Sequence, residues 1–255
     1  MKQCLIIIFL SASITCSLTH AAAQDTKSSM GASDKSVMIG ITGGLTMLSG
    51  NLAKTDYKDN SSGFAGSGYN FGVTGTWFLN KNFGISVLVS YQNYSIKGID
   101  NIARGFQVDY FVDTAKATSK GNSSQVNVLV GPYYRLPLSD KFSIDGRLLV
   151  GLVDATLGGW TVLLTDGGIA HPNATPTQDV AHAATFGGQV GIGLKYNITD
   201  NWGVMLNGDY YYSKPNFSIT NEDRNANTGR KITSYNEAIT GINANLTLCY
   251  MLKRK

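Results

Sequence analysis

The sequence predicts an all-β fold, an eight-stranded antiparallel up-and-down barrel whose strands cross a membrane. Three observations lead to this prediction. Apolar residues alternate with period two along eight segments, tight and long connections alternate strictly, and the less apolar face of the segments carries small neutral side chains. Charged residues make up 15% of the chain, against roughly 25% in soluble globular domains. This shortage disfavours a soluble fold.

The eight segments that alternate with period two are the predicted strands. They are residues 37–47, 69–79, 83–94, 125–136, 142–155, 185–198, 202–212 and 238–250. Four long connections, 48–68, 96–124, 156–184 and 213–237, are rich in Gly, Ser, Asn, Asp and Thr, as loops are. Residues 106–112 within the second one are themselves strand-like, and we interpret them as an extension of that hairpin. A ten-stranded barrel is the alternative.

Three tight connections are near copies of one another. They are residues 80–85, 139–144 and 199–204, spaced by 59 and then 60 residues, and each is a polar turn followed by an aromatic residue. Such spacing fits a repeating unit of two strands, one tight turn and one long loop. One end of the barrel is therefore expected to carry only tight turns, and the other only long loops, as outer-membrane barrels do.

The residue types on the two strand faces indicate which face meets lipid. One face is continuously apolar over roughly nine to eleven residues per strand, the length that a tilted strand needs to cross hydrocarbon. The other face carries Gly, Ser, Thr, Asn and Gln, including Thr42, Thr74, Gln92, Asn127 and Asn245. Small neutral polar residues suit the narrow interior of a small barrel. We therefore predict that the apolar face points outward.

Aromatic residues are expected at both ends of this outward face. Trp and Tyr settle at the headgroup level of a membrane because they combine an apolar ring with a polar edge. The predicted girdle comprises Trp77, Phe83, Phe142 and Trp202 near the tight turns, and Tyr210 and Tyr212 toward the loops.

The N-terminal residues have the pattern of a cleaved signal peptide. Lys2 gives a positive start, residues 5–10 are apolar, and residues 21–23 are three alanines typical of a cleavage site. A membrane-spanning helix is the alternative, but the apolar run falls short of about 20 residues. We predict a signal peptide at 1–23, a short periplasmic segment at 24–36, the barrel at 37–250 and a basic tail at 251–255.

No cofactor is expected. Cleavage leaves Cys249 as the lone cysteine and lowers the net charge from +4 to about +3, because Lys2 is lost and no acidic residue is. One cysteine makes neither an internal disulfide nor a thiolate metal site, and His171 and His182 lack metal-ligand spacing. Basic residues form no cluster, so nothing indicates nucleic-acid binding.

The last strand carries a pattern found in a known group of proteins. Gly241, Leu246, Leu248 and Tyr250 look like the terminal signal that the barrel-assembly machinery reads. Over residues 24–250 the chain resembles the small outer-membrane barrel superfamily, which includes the OmpA/OmpX-like and opacity-type surface proteins of the porin family. This resemblance implies an outer-membrane location, with membrane lipids, lipopolysaccharide, the barrel-assembly machinery and periplasmic chaperones as partners.

Five charged residues fall on the interior face: Arg135, Asp145, Arg147, Lys195 and Asp209. They indicate either an ion-selective constriction or a structural ion-pair network that fills the lumen. Eight strands leave just enough room for side chains, which favours the network.

The long loops are the predicted place for recognition, since binding residues often lie on loops held by a rigid scaffold. The loop residues that we expect to be exposed are Tyr57, Phe64, Phe106, Tyr110, Phe111, Asn173, Arg224 and Arg230. A solvated rim without a ligand is an equal alternative. His171 and His182 lack the His-x-Ser spacing of the lipid A deacylases, so no catalysis is expected. The sequence thus predicts a structural or surface-recognition barrel with a plugged lumen, and the alternative is a narrow passive porin-like channel for small solutes.

Overall fold

A computed structural model describes residues 36–59, 61–170, 175–223 and 229–253 of the chain. Two predicted segments lie outside these ranges: the signal peptide at 1–23 and residues 24–35 of the periplasmic segment. The same holds for three residues discussed above, His171, Asn173 and Arg224. Within them the strands are β1 (Ser36–Ser49), β2 (Ala65–Phe78), β3 (Phe83–Ile96), β4 (Thr114–Ser119), β5 (Ser123–Pro137), β6 (Phe142–Leu157), β7 (Trp160–Asp166), β8 (Ile169–Ala170), β9 (Thr177–Gln178), β10 (Ala181–Asn197), β11 (Trp202–Ser213), β12 (Asn216–Asp223), β13 (Gly229–Asn236) and β14 (Ile239–Lys253).

Eight of these strands form a closed antiparallel barrel. Around the barrel the order is β1, β2, β3, β5, β6, β10, β11 and β14, and β14 pairs with β1 to close it. Each barrel strand overlaps one predicted strand, so the prediction of eight strands in an up-and-down meander is confirmed. The ten-stranded alternative is wrong, because the additional strands lie in a second sheet outside the barrel.

The apolar face of the barrel points outward, as the residue types predicted. Ile41 and Leu45 of β1 are 67% and 66% exposed, and their neighbours in the sequence, Thr42 and Thr46, are buried in the lumen. Neighbouring side chains of a strand point to opposite faces. The same alternation therefore turns the apolar residues toward the hydrocarbon and the polar residues toward the lumen. Closure leaves no unpaired strand edge inside the bilayer, where an unsatisfied backbone group costs several kcal/mol.

The three near-copy turns share one hydrogen-bonding scheme. The side-chain oxygen at the start of each turn accepts backbone N–H groups two and three residues later, and these oxygens belong to Asn80, Ser139 and Thr199. The carbonyl two residues beyond each of them accepts a backbone N–H from a neighbouring strand. Polar residues recur at the first position of each turn because their side-chain oxygens accept the backbone N–H groups of the turn. The carbonyl bond to the neighbouring strand then fixes the turn to the rest of the barrel.

The long loops fold into a second sheet and one helix at the opposite end of the barrel. The order of this sheet is β13, β12, β9, β7 and β4, and β8 pairs with β7. Helix α1 (Ile99–Asp109) packs beside β4. The first loop contributes a 3₁₀ turn (Asn51–Ala53). Three of the four loops therefore supply strands to one shared sheet. Within the ranges given above, no helix has the length and hydropathy of a membrane span.

Two sequence predictions about segment boundaries are wrong. Residues 106–112 are not a strand: most of them belong to α1, because Ile99, Ile102, Ala103 and Phe106 recur with helical spacing and Ile102 and Ala103 are buried. The basic tail begins later than residue 251, because β14 continues to Lys253 through pairing with the first residues of β1. Arg254 and Lys255 lie outside the described residues.

Candidate functional site

Buried apolar side chains form three clusters between the tight-turn end of the barrel and its loops. At the tight-turn end the buried cluster comprises Met38, Phe78, Tyr133, Met205 and Cys249. A second cluster on β3, β5 and β6 comprises Leu88, Leu129, Leu149 and Val153. At the loop end a third one comprises Leu52, Ala65, Tyr94, Ala155, Leu157, Ala181, Tyr211, Phe217, Ile219 and Ile239. The buried side chains within each cluster pack against one another.

Four of the five predicted interior charges form two ion pairs. Arg147 Nε and Nη2 lie 2.8 and 2.7 Å from the Asp209 carboxylate oxygens, and both side chains are buried. Arg135 Nη2 lies 3.2 Å from Asp145 Oδ2, which also accepts a hydrogen bond from the Tyr133 hydroxyl. A bidentate guanidinium–carboxylate pair is the strongest of the common ion-pair geometries.

The fifth interior charge, Lys195, forms no ion pair with a carboxylate of the described chain. Its side chain is 2% exposed and its Cε lies close to Gly203 on the neighbouring strand. The structure therefore does not bring Lys195 into the predicted network. The described interior carries one more basic than acidic group.

Hydrogen bonds link the polar residues between the apolar layers. Asn245 Nδ2 lies 3.2 Å from Asp209 Oδ2. Asn207 Nδ2 donates to Thr247 Oγ1 over 2.6 Å, and Thr247 Oγ1 donates to Thr42 over 3.0 Å. These bonds join three neighbouring barrel strands, β11, β14 and β1, so they hold the strands in register as well as satisfying buried polar atoms.

The predicted girdle and assembly-signal residues occupy the outward face or the last strand. Trp77, Phe83, Phe142, Trp202, Tyr210 and Tyr212 are all exposed on the outward face. In β14, Leu246 and Leu248 point outward, and the Tyr250 ring lies 4.9 Å from the Trp202 ring. Gly241 instead packs against the Tyr211 hydroxyl.

The extracellular-side loops form a small core of their own. Ile102, Val162 and Leu164 are buried there, and Phe64, Phe106, Tyr110 and Trp160 pack against them. Three of the aromatic residues that we expected to be exposed for recognition therefore stabilise the loops instead. Tyr57 contacts Phe106 edge-on, and its hydroxyl donates to Asp109.

Phe111 alone among the predicted loop aromatics is almost fully exposed, at 92%. It ends α1 in a left-handed conformation, with φ of +53°. The N–H of Phe111 donates to the Val108 carbonyl, and the N–H of Val112 donates to the Gln107 carbonyl. This is the Schellman motif, in which glycine usually occupies the left-handed position. A phenylalanine at this position makes the end of α1 less stable than a glycine would, and its exposed ring adds an apolar surface.

Glu237 is a buried carboxyl group between β13 and β14, with 2% of its surface exposed. Its Oε2 finds no hydrogen-bond partner within the part of the chain that the structure describes. Burial and the nearby Asp59 carboxylate raise the pKa of Glu237 from 4.5 to about 7, against a smaller opposite effect of Lys54. Hydrogen bonds from Ser61 and Lys54 lower the pKa of Asp59 itself to about 2.

No grouping suited to metal catalysis is found in the described residues, where no three His, Cys, Asp or Glu side chains could hold a metal ion. His182 is exposed, and its Nδ1 lies 3.0 Å from the Thr156 hydroxyl. Arg230 is part of β13.

The closed eight-stranded barrel with an apolar exterior defines a membrane-spanning class of protein. A family model for the outer membrane protein beta-barrel domain matches residues 8–232, and the chain belongs to this family. It is accordingly a protein of the cell outer membrane, with short periplasmic turns and long extracellular loops. A search of curated proteins finds no significant sequence match.

Several solved structures are similar to this chain at low sequence identity. Ail, the attachment invasion locus protein of Yersinia pestis, is 14% identical, with 86% of this chain and 99% of that chain covered and a TM-score of 0.39. Neisserial surface protein A is 13% identical, with 88% and 100% covered and a TM-score of 0.37. A major outer membrane protein from Thermus thermophilus is 12% identical, with 85% and 99% covered and a TM-score of 0.45.

Sequence reasoning missed the extracellular sheet, the helix and Glu237. The helical spacing of Ile99, Ile102, Ala103 and Phe106 was the available signal for α1. No local pattern marks Glu237, because segments distant in the sequence bury it.

Proposed function

We propose that this chain is a non-conducting outer-membrane barrel whose role, structural or in surface recognition, is carried out by its extracellular loops. The observation that supports a closed lumen is the series of three buried apolar clusters between the tight-turn end of the barrel and its loops. Close-packed side chains at these positions would obstruct the passage of water and small ions.

A cavity within the lumen supports this reading by its size. It lies between Gln125, Asn127 and Gln189 and has a volume of about 10 Å³. That is on the scale of a single water molecule. A continuous aqueous path would need such spaces to join across both ion pairs, and Arg147 and Asp209 lie in direct contact in between.

The recognition half rests on the folded state of the loops. A shared sheet and a buried apolar core hold them, so they present a fixed surface at low entropic cost on binding. Phe111 on this surface combines nearly full exposure with a strained backbone, a combination that concentrates at functional sites. No catalytic chemistry is part of the proposal.

The proposal includes partners that follow from the family. Leu246 and Leu248 lie outward on the closing strand, where the barrel-assembly machinery would read them after periplasmic chaperones deliver the chain. The outward apolar band contacts membrane lipid and, in the outer leaflet, lipopolysaccharide.

Single-channel conductance of the refolded protein in a planar bilayer tests the closed lumen. A shift between folded and boiled samples on a gel first confirms that the barrel has formed. We expect no steady open level. A steady open level that changes in Arg147→Gln would overturn the proposal in favour of a narrow channel. The double variant Phe78→Ala and Tyr133→Ala, which thins the periplasmic layer, shows whether the assay detects a partly opened lumen.

Adhesion of barrel-containing nanodiscs to immobilised cells tests the recognition role. The comparison variant replaces residues 99–119 with a short Gly-Ser turn. We expect binding that falls by at least tenfold in the variant, and equal binding of both proteins would contradict a role for this loop.

A further inference from the structure

The side chain of Lys195 extends toward the periplasmic mouth of the lumen. Lys195 lies opposite Met205 of β11, yet its Cε lies 2.9 Å from the position that a Cβ on Gly203 would occupy. Gly203 is two residues nearer the tight turn than Met205. The ammonium group is therefore directed at the tight-turn end of the barrel, and the absence of a side chain at Gly203 leaves space for it.

The nearest interior carboxylate, that of Asp145, already has other partners. Its Oδ1 accepts a hydrogen bond from Ser143 Oγ over 2.8 Å. Its Oδ2 accepts from Arg135 Nη2 over 3.2 Å and from the Tyr133 hydroxyl. Both carboxylate oxygens are thus occupied, and Lys195 is left without an ion pair.

The carboxylates of the neighbouring tight turns do not neutralise Lys195 either. Asp140 and Asp200 are exposed, and neither forms an ion pair with Lys195. In the described residues this end of the lumen therefore has two cations, Lys195 and Arg135, and one carboxylate, Asp145. A buried charge without a counter-charge is unfavourable, so the site favours one further negative charge.

Each of the two cations retains a donor group that an anion can reach. Lys195 Nζ and Arg135 Nη1 have no hydrogen-bond partner in the described ranges, and neither belongs to the polar atoms that are cut off from solvent. Arg147 Nη1, deeper in the lumen, is cut off in this way. Arg135 acts electrostatically on Lys195, so the two reachable donors are neighbours.

The space at the mouth suits a compact ion. Eight strands leave just enough room for side chains inside a barrel, and the Arg135 guanidinium already stacks over the Phe78 ring at 4.3 Å. The first lumen-facing residue after each of the three near-copy turns is small, and these residues are Gly84, Ser143 and Gly203. They leave room beside the ammonium group for a small ion rather than for a bulky one.

We propose that the periplasmic mouth of the lumen binds one compact, singly charged anion between Lys195 Nζ and Arg135 Nη1. Two sources have this chemistry: a halide such as chloride, and the carboxylate of a small periplasmic molecule. The site lies at the opposite end of the barrel from the loops, so the inference goes beyond the proposed function and does not depend on it.

An exchange of anions at constant ionic strength tests this inference on the refolded protein in nanodiscs at pH 6. Sodium gluconate, whose anion is bulky, is replaced stepwise by sodium chloride or by sodium acetate. The readout is the chemical shift of the ε-methylene group of Lys195 in lysine-labelled protein. Lys116, which is exposed on β4, reports any general effect of the salt. We expect a saturable shift at Lys195 and none at Lys116.

The two compact anions distinguish the two sources. A saturable shift with chloride assigns the site to a free halide, whether or not acetate also binds. A saturable shift with acetate alone assigns it to a carboxylate group.

Lys195→Met removes the charge and nearly preserves the length of the side chain. In the bound anion at about ten times its half-saturating concentration, the ratio of folded to unfolded wild type should be about tenfold higher than in gluconate. Lys195→Met should show no such difference in urea titrations. Lys81→Met, at an exposed lysine of another tight turn, is the matched control and should behave like the wild type. The gel shift confirms that each variant folds.

Three results would overturn the inference: a Lys195 shift that is absent or follows Lys116 without saturation, equal stability of the wild type in all three salts, or an anion dependence that survives in Lys195→Met. The proposed function stands in each case, because it rests on the apolar clusters and on the extracellular loops.

Discussion

Arg147 and Asp209 meet across Gly191, on the strand between them. In the barrel register Gly191 is opposite Arg147 on one side and Asp209 on the other, and the two charged side chains form two hydrogen bonds over the space that a side chain at 191 would fill. The central ion pair of the lumen therefore depends on a glycine that carries no chemistry itself.

Gly191→Ala should destabilise the barrel because the new Cβ would lie 1.8 Å from Asp209 Oδ1. We expect a loss of about 1–3 kcal/mol in the free energy of unfolding, measured by urea titration in lipid bilayers. Gly208→Ala on the adjacent strand is the matched control, because no atom lies within 4 Å of its added Cβ. Equal losses in both variants would contradict the packing argument.

Asp209→Ala should lower the free energy of unfolding more than removal of a surface ion pair does. It leaves the Arg147 guanidinium buried without its carboxylate, and the expected cost is about 3–5 kcal/mol in the same unfolding experiment. Lys120→Ala, which removes the half-exposed pair with Asp179, should cost less than about 1 kcal/mol. The double variant Arg147→Met and Asp209→Leu should recover much of the loss, since no charge then remains unpaired at this level. A double variant as unstable as Asp209→Ala would show that shape matters more than charge there.

The packing of the fourth loop should weaken as the pH rises from about 4.5 to about 7. The pKa of Glu237 is raised in the folded loops from 4.5 to about 7, so the folded state binds the proton more tightly than the open state. The resulting stabilisation is complete below pH 4.5 and is lost as the pH approaches 7, for a total of about 3 kcal/mol at most. Amide hydrogen exchange of β12 and β13 at pH 5 and pH 8, corrected for intrinsic rates, measures this change.

Glu237→Gln is the control for this pH dependence. The amide cannot ionise, so its loops should keep at pH 8 the protection that the wild type shows at pH 5. The idea fails if the wild type and the variant lose protection equally between the two pH values.

Phe111→Gly should stabilise the end of α1 by about 1 kcal/mol, because glycine adopts the left-handed conformation without strain. Slower amide exchange of Tyr110 and Val112 is the expected observation. Phe111→Ala retains a Cβ in the strained conformation and should give no such gain. If Phe111→Gly also loses adhesion while its loops are more stable, the exposed ring has a binding role rather than a structural one.

The barrel could be predicted from the sequence because its determinants are local. Alternation with period two identifies a strand and its two faces at once, and the side-chain oxygens of Asn80, Ser139 and Thr199 mark the tight turns where they occur. The residue types on the two faces then indicate which face contacts lipid and which lines the lumen.

The register and the loops could not be predicted in the same way. Gly191 lies between Arg147 and Asp209 because of the register of three strands. No single segment of the sequence encodes that register. In residues 106–112 the apolar residues are dense enough to satisfy both a strand and a helix, and contacts of Ile102 with Val162 and Leu164, from another loop, favour the helix.

The shared extracellular sheet makes the outer surface of this protein discontinuous in sequence. Because β4, β7 and β12 come from three different loops, a synthetic peptide that copies one loop lacks the neighbours that shape it, and antibodies raised against such a peptide should bind denatured protein better than intact cells. The hairpin at Gly167 and Gly168 is an exception. The Gly167 N–H donates to Asp113 of another loop, whereas a side chain added at Gly168 would meet no atom within 4 Å, so an epitope tag inserted after Gly168 should be displayed on living cells.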